Sequence, residues 1–369
     1  MIVLHSYSTK NSGDGLLVEL TKEVGVETNL GPISKLVALD KKSFSGFDSI
    51  YEPMIVNSGL LGKINYAFKS LLNVFIKIDL FERYLPDNPK EIILAVGGGY
   101  MRGRTLIESL KTFLAHGPQL IWASRQKTAP VIYLPQSIGP FKGPMRALIH
   151  NKMKCLDVIF ARDDLTVKEL NLDNVIRVPD LAVQELAMSY KATNIENKFD
   201  KIYLIARAVS VHGEEDYIKK LLELKNSIPG LEPLIQSEGR GNNDVSFYKK
   251  LGWHGSLRKV KDVLDNPENR GVVISVRLHG SLQSMISGCP SIHLSYERKG
   301  FGAFSDLGIT EYCHGFKRFD PNLVKKQADD LKADSSEYWK KISLSVDSIL
   351  EKRELMLSII RRVKRGYEE

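Results

Sequence analysis

Short apolar runs rich in β-branched residues alternate with longer segments of helical period along almost the whole chain, and few architectures accommodate that alternation. It encodes a strand, a crossover helix and a second strand in the same direction, the unit that builds parallel sheets covered by helices. A first series has strand candidates at Met1–Leu4, Lys35–Leu39, Glu91–Val96, Val131–Pro135, Val158–Ala161 and Val175–Val178. Helical stretches lie between them at Gly15–Val24, Ile64–Phe81, Thr105–Lys127 and Asp164–Leu170. A second series follows the polar stretch Tyr190–Asp200, with strands at Lys201–Ala206, Glu232–Gln236, Gly271–Val276 and Ser291–Ser295. Its helices fall near Glu214–Ser227, Asn242–Leu251 and Ser281–Gly288, and Ser335–Arg365 reads as one long final helix. We expect an α/β protein with an N-terminal domain over 1–188, a C-terminal domain over 189–334 and a basic helix over 335–369.

Length and composition agree with two such domains. The 369 residues are 43% hydrophobic and 26% charged, which excludes a disordered or collagen-like chain. The three cysteines, Cys155, Cys289 and Cys313, have neither metal nor redox spacing, so a reducing cytoplasm is expected and a disulfide framework is not. Fifty-two Lys and Arg against 44 Asp and Glu give a net charge of +8, which suits an anionic substrate or membrane surface. Spread over this length, the excess does not indicate nucleic acid. The most apolar stretch, Ile64–Phe81, is interrupted by Lys69, Lys77 and Asp79 and reads as an amphipathic helix. The opening MIVLHSYSTK has neither the basic region nor the cleavage site of a signal peptide, so none is expected.

In open α/β sheets ligands bind beyond the carboxyl ends of the strands, so the loops after the strands are where chemistry is sought. Gly97, Gly98 and Gly99 end one strand and permit close approach of a ligand, or form a tight strand-to-helix turn. Asn11 and Asp14 lie between the first strand and the first helix, where Asp14 caps the helix or faces a ligand. The run Val273 to Ser281 delivers Arg277 and His279 just before a helix. A guanidinium there can pair bidentately with carboxylate or phosphate, the helix N-terminus adds N–H donors, and the imidazole can move a proton. An ion pair and a satisfied histidine are the plain alternative. Arg207 ends another strand and converges with Arg277 if the two strands are neighbours, and Lys299 is a third candidate anion contact.

Taken in order, these loops resemble the polysaccharide pyruvyl transferase family. The resemblance runs through Asn11–Asp14 (NSGD), Gly97–Gly99, Gln136–Pro140 (QSIGP), Ala161–Asp163 (ARD), Val178–Asp180 (VPD), Arg277–Gly280 (RLHG), Gly288–Pro290 and Lys299 with Asp306, Leu307 and Gly308. It implies two facing Rossmann-like domains of the GT-B type, phosphoenolpyruvate as donor substrate, and neither a catalytic metal nor another cofactor. The acceptor is a sugar of a cell-surface glycan or its lipid-linked precursor, on the first-domain side. Carried over by motif, Arg277 holds the donor's anionic groups and His279 is the acid. Arg207 matches by its place after a strand, while Asn11, Asp14 and the glycines match without individual roles; Asp14 is a candidate base. The cysteines and the absence of a signal-peptide pattern place the protein in the cytoplasm, and the basic tail and the 64–81 helix, which match the family less well, add the expectation of peripheral contact at the inner face of an anionic membrane.

The residues suit that chemistry. An enol phosphate is activated by protonating its methylene carbon, and fixed cations stabilise the departing phosphate. The alternatives are a GT-B nucleotide-sugar glycosyltransferase and a non-catalytic anion- or glycan-binding protein, since a fold does not fix a function.

Overall fold

The computed structural model describes residues 1–47, 50–51, 59–80, 85–86, 89–190, 197–209, 214–239 and 242–369. The chain divides into two compact units, the first formed by Met1–Thr9, Asp14–Leu181 and Lys352–Glu369, the second by Lys10–Gly13 and Ala182–Glu351.

In unit 1 the strands are β1 (Ile2–Ser6), β2 (Lys35–Ala38), β3 (Ile50–Tyr51), β4 (Ile93–Ala95), β5 (Gly98–Met101), β6 (Val131–Ile138), β7 (Val158–Ala161) and β8 (Val175–Arg177). They lie in the order β3-β2-β1-β4-β6-β7-β8, with β5 pairing β6 off this path, and the pairings are parallel. The connecting helices are α1 (Ser12–Glu27), α2 (Leu60–Leu72), α3 (Leu106–Ala123), α4 (Pro144–Met153) and α5 (Asp164–Leu170). Strands β1, β4, β6 and β7 are buried along their whole length, as parallel strands covered on both faces must be. Ile2, Leu4, Ile93, Tyr133 and Ile159 contribute to one continuous core. Side chains start two of the helices, Thr105 accepting from Glu108 N at 3.1 Å and Asp163 from Thr166 N at 2.8 Å.

The chain passes into unit 2 at α6 (Leu181–Ser189). There β9 (Lys201–Ile205), β10 (Glu232–Ile235), β13 (Arg258–Lys259), β14 (Gly271–Ser275), β15 (Ser291–Ser295) and β16 (Cys313–Gly315) form a second parallel sheet in the order β13-β10-β9-β14-β15-β16. Between β10 and β13, β11 (Glu238–Gly239) and β12 (Asn242–Asn243) pair antiparallel. Helices α7 (Glu214–Ser227), α8 (Asp244–Lys250), α9 (Val260–Leu264), α10 (Leu278–Ile286), α11 (Arg298–Asp306) and α12 (Pro321–Ala333) follow, then α13 (Ser336–Arg365). The start of α13 is held to unit 2 through Ser335 N donating to Asn197 O at 2.9 Å and Tyr190 Oη donating to Trp339 O at 2.8 Å. Its end is tied into unit 1, where Lys364 Nζ donates to Asn29 O at 2.9 Å and Arg353 pairs with Glu27. The sequence reading set 335–369 apart and changed domain at 188; apart from the short Lys10–Gly13 segment, the compact units change over after Leu181 and, within α13, after Glu351.

Three local differences from the sequence reading have physical causes. The helix expected over 64–81 is α2, Leu60–Leu72, because buried Asn73 accepts from Ile78 N at 3.1 Å and from Arg125 Nη1 at 2.9 Å, drawing the chain out of the helix. Phe81 lies outside the described residues. The three glycines do not turn directly into a helix, since Gly98 and Gly99 open β5, which continues the sheet beside Gln136 and Ile138. Two basic residues of the tail serve another helix, Arg361 Nη2 donating to Glu27 O at 3.3 Å and Lys364 to Asn29 O, so that cations complement the carbonyl end of α1.

Under β1, His5 is hydrogen-bonded through Nδ1 to His116 Nδ1 at 3.2 Å and through Nε2 to Tyr133 Oη at 2.8 Å, all three fully enclosed. Burial pushes the His116 imidazole down to about 3 and His5 well below its usual value of 6.5. The unfolded chain therefore takes up these protons first. Stability from the neutral imidazoles is complete above about pH 6.5 and is lost as the pH falls below it, for His116 towards about 3. Urea unfolding at pH 7.5 and 5 should show a lower midpoint at pH 5, with a smaller drop in His116→Gln; equal drops in the two proteins would mean that His116 is not held neutral.

Candidate functional site

The register of the second sheet decides which loops meet. Ile205 of β9 lies opposite Ser275 of β14, which lies opposite His293 of β15, and Val276 N continues the ladder by donating to Ile205 O at 2.8 Å. Two residues beyond that rung stand Arg207 and Arg277, and just beyond β15 come Tyr296 and Lys299. The neighbouring strands that would let Arg207 and Arg277 converge are thus present, while their heads go to different partners, Arg207 to Tyr296 and Arg277 to Asp244. Arg207 and Lys299 also meet one aromatic ring. The Arg207 guanidinium carbon lies 5.5 Å and Lys299 Nζ 6.0 Å from the Tyr296 centroid, and Arg207 Nη1 donates to Tyr296 Oη at 3.3 Å.

Arg277 is fixed at both its backbone and its head. It is the N-cap residue of α10, with its N–H donating to Ser275 Oγ at 3.1 Å and its carbonyl accepting from that hydroxyl at 2.8 Å. Its guanidinium Nη2 pairs with Asp244 Oδ1, both side chains being buried. Asp244 opens α8, and its other oxygen accepts from Gln236 N at 3.0 Å and Ser237 N at 2.8 Å. Burial pushes the Asp244 carboxyl above its usual range while Arg277 and these N–H groups pull it back. Lys299 is likewise held by an acid, Glu297, at 3.0 Å. Arg207 has neutral partners, donating through Nε to Ala208 O at 3.0 Å as well as to Tyr296.

His279 sits in the first turn of α10, half-buried, and Lys10–Gly13 of the same unit lies against it. Asn11 bridges antiparallel to Ser237, Ser12 N donates to Gln236 O at 3.2 Å, and Ser12 Oγ donates to Gln283 Oε1 at 3.1 Å. Gly13 is glycine for lack of space, since a Cβ there would stand 2.7 Å from His279 Cβ. Gly280 is similarly confined, its Cβ falling 2.6 Å from Gln236 Oε1. Asn11 does the capping considered for Asp14: its Oδ1 accepts from Gly13 N at 3.3 Å, while Asp14 lies within the first turn of α1 and belongs to unit 1. Beneath the loop, His293 is hydrogen-bonded through Nδ1 to Ser275 O at 2.9 Å, and burial lowers its imidazole to about 3. It is a neutral supporting group, distinct from His279.

The sequence reading missed Asp244 and His293. A polar residue within the apolar run Ser291–Ser295 signalled the second; for Asp244 the signal was an acid at the head of a helix soon after a strand. The cluster can hold a small dense anion beside an imidazole able to exchange a proton. Among the described residues no group of three or more His, Cys, Asp or Glu is placed to hold a metal ion. Cys289 and Cys313 are buried, and burial pushes the Cys313 thiol up to about 12.

Other motif residues lie in unit 1. Gly97 brings the chain so close to β6 that a Cβ would fall 2.6 Å from Pro135 O. The QSIGP, ARD and VPD segments form one buried network, in which Arg162 donates through Nε to Ser137 Oγ at 3.0 Å and pairs through Nη1 with Asp180, while Ser137 Oγ donates to Asp163. These motifs therefore hold β6, β7 and the Val178–Asp180 segment together.

Comparison with protein families matches residues 11–298 to the family described as Polysaccharide pyruvyl transferase. No curated protein matches the sequence. Among solved structures, a Listeria monocytogenes protein described as a UDP-N-acetylglucosamine 2-epimerase superposes with a TM-score of 0.52 at 13% identity, covering 98% of this chain and 95% of that one. The S. aureus MnaA–UDP complex gives 0.51 at 12% identity, covering 93% and 90%. The likeness is one of fold, that of GT-B proteins with two Rossmann-like parallel sheets.

Removing one partner of a buried ion pair strands the other charge, at a typical cost of ~3–5 kcal/mol. Asp244→Ala should lower unfolding stability by about that amount, and Asp244→Asn, which keeps an oxygen for the two backbone donors, by less. Denaturant titration of the three proteins checks this, and an unchanged midpoint in Asp244→Ala would show that Arg277 does not depend on the carboxylate.

Proposed function

The chain belongs to the polysaccharide pyruvyl transferase family, and on that premise we propose that it moves the pyruvyl group of phosphoenolpyruvate onto two hydroxyls of a sugar in a cell-surface glycan or its lipid-linked precursor. The observation that carries the reading is the strand register that sets Arg207, Arg277 and Lys299 along one edge of the second sheet with His279 among them. A donor with carboxylate and phosphate on one carbon suits such an edge. The fork of Arg277, pre-set by Asp244, supplies a directed pair of donors, and the first turn of α10 adds backbone N–H groups.

In this reading His279, as imidazolium, gives its proton to the methylene carbon of the enol phosphate. The adjacent carbon becomes oxocarbenium-like and is attacked by a sugar hydroxyl, whose proton restores His279. Phosphate then leaves against the cations, and the second hydroxyl closes the ketal and releases its proton to the phosphate. Proton donation of this kind contributes ~10²- to 10⁴-fold. A cytoplasmic location follows from the donor, a metabolite of the cell interior.

Calorimetric titration should show phosphoenolpyruvate binding without added divalent metal. His279→Ala should keep donor affinity while lowering kcat by ~10²-fold or more, and it should lose the alkaline fall in rate that accompanies imidazolium deprotonation. Arg277→Lys should weaken binding, because an ammonium lacks the fork. Stabilisation by UDP with no response to phosphoenolpyruvate would favour a nucleotide-sugar transferase, and near-normal kcat in His279→Ala would remove the assigned acid.

A further inference from the structure

Helix α2 is built inside out. It encloses Tyr66 and the small polar Ser70, with polar Asn73 enclosed at its C-cap, while Leu61, Ile64, Phe68, Leu71 and Phe75 face solvent. These five recur at intervals of three and four residues, so they form one stripe along the helix and the turn that follows it. A helix of a soluble domain ordinarily turns such a stripe to the core, yet Leu61 is 83% and Phe75 84% exposed. The neighbouring helix α3 also exposes apolar side chains in its first turn, Leu106 and Ile107. A single exposed leucine carries no meaning, but a continuous stripe marks a contact surface.

The charges identify what it contacts. From Gly59 to Ile78 the chain carries Lys63, Lys69 and Lys77 and no acid, and at 100° per residue Lys63 and Lys69 flank the stripe on opposite sides. Two copies docked stripe to stripe would bring these cations together. An anionic lipid surface accepts both components, the apolar side chains entering the boundary of the acyl chains and the ammonium groups meeting phosphate. We propose that α2 lies in the headgroup layer of an anionic membrane, with Phe68 and Phe75 inserted. The tail that shared this expectation is partly occupied elsewhere, Arg361 and Lys364 being engaged with the carbonyl end of α1. Among the described residues no helix is long and apolar enough to cross a membrane, so the contact proposed is peripheral.

Sedimentation with vesicles tests this in the absence of donor and acceptor, so its failure leaves the reading of the reaction untouched. The full chain should pellet with equimolar phosphatidylcholine and phosphatidylglycerol, stay in solution with phosphatidylcholine alone, and bind several-fold less as salt rises from 0.1 to 0.5 M, values at which screening lengths fall from about 10 Å towards about 3 Å. A Phe68→Ser, Phe75→Ser double variant should bind ~10-fold more weakly or worse, since two large apolar side chains no longer leave water. Lys63→Glu with Lys69→Glu should also lose binding. All four positions are exposed, and circular dichroism should show each variant folded. Wild-type protein remaining in the supernatant, a phenylalanine variant that binds as well as wild type, or a concentration-dependent dimer abolished by that variant would each overturn the proposal.

Discussion

The parallel ladder through β9, β14 and β15 sets where the charged groups of unit 2 stand. Because these strands are enclosed on both faces, their side chains within the sheet are apolar or internally satisfied, and polar chemistry is pushed to the carboxyl-terminal edge. One rung, Ile205 beside Ser275 beside His293, then aligns the exits of three chain segments. A slip of one residue in β14 would reverse the faces of its side chains and carry Arg277 away from Asp244. The apolar pattern of Val272, Val273 and Ile274 thus protects the position of a charge several residues away.

The edge carries little unbalanced charge for its number of cations. Arg277 is held by Asp244 and Lys299 by Glu297, and each acid lies on the same unit as its cation. Desolvated guanidinium and ammonium groups would otherwise be costly to retain. The pairing also shapes specificity under the proposed reaction. An incoming anion competes with carboxylates already in place, so a dense, doubly charged ligand is favoured over a singly charged one. The glycines at 13 and 280 work with this arrangement by letting backbone and Gln236 close on the imidazole and the helix start without a gap.

Much of this architecture was legible because parallel strands buried on both faces are written as unbroken apolar runs. β14 and β15 fall close to where those runs predict them, and Arg277 and His279 follow from the run that precedes them. Asp244 could be read only as an acid at a helix start, for its pairing depends on a partner thirty-odd residues later that the fold brings within reach. β5 was obscured because glycine is a poor strand former, and pairing with β6 overrides that preference. The outward face of α2 could not be read from periodicity either, since an amphipathic helix has the same pattern whichever way its stripe turns. The family motifs carried two meanings: RLHG lies at the polar edge, whereas ARD and VPD are joined in a buried ion pair that holds unit 1 together.

The return of the chain to unit 1 through Lys352–Glu369 has a consequence for synthesis. A ribosome releases residues up to Leu181 before those of unit 2 that follow, with all strands of the first sheet and the Arg162–Asp180 pair already available. The carbonyl end of α1 must nevertheless wait for Arg353, Arg361 and Lys364, which emerge only after the whole of unit 2. At ~5–20 residues per second that interval is on the order of ten seconds or more. The unit translated first is therefore the last to be completed, and until the final helix arrives its unfinished edge is the part of the nascent chain most in need of protection.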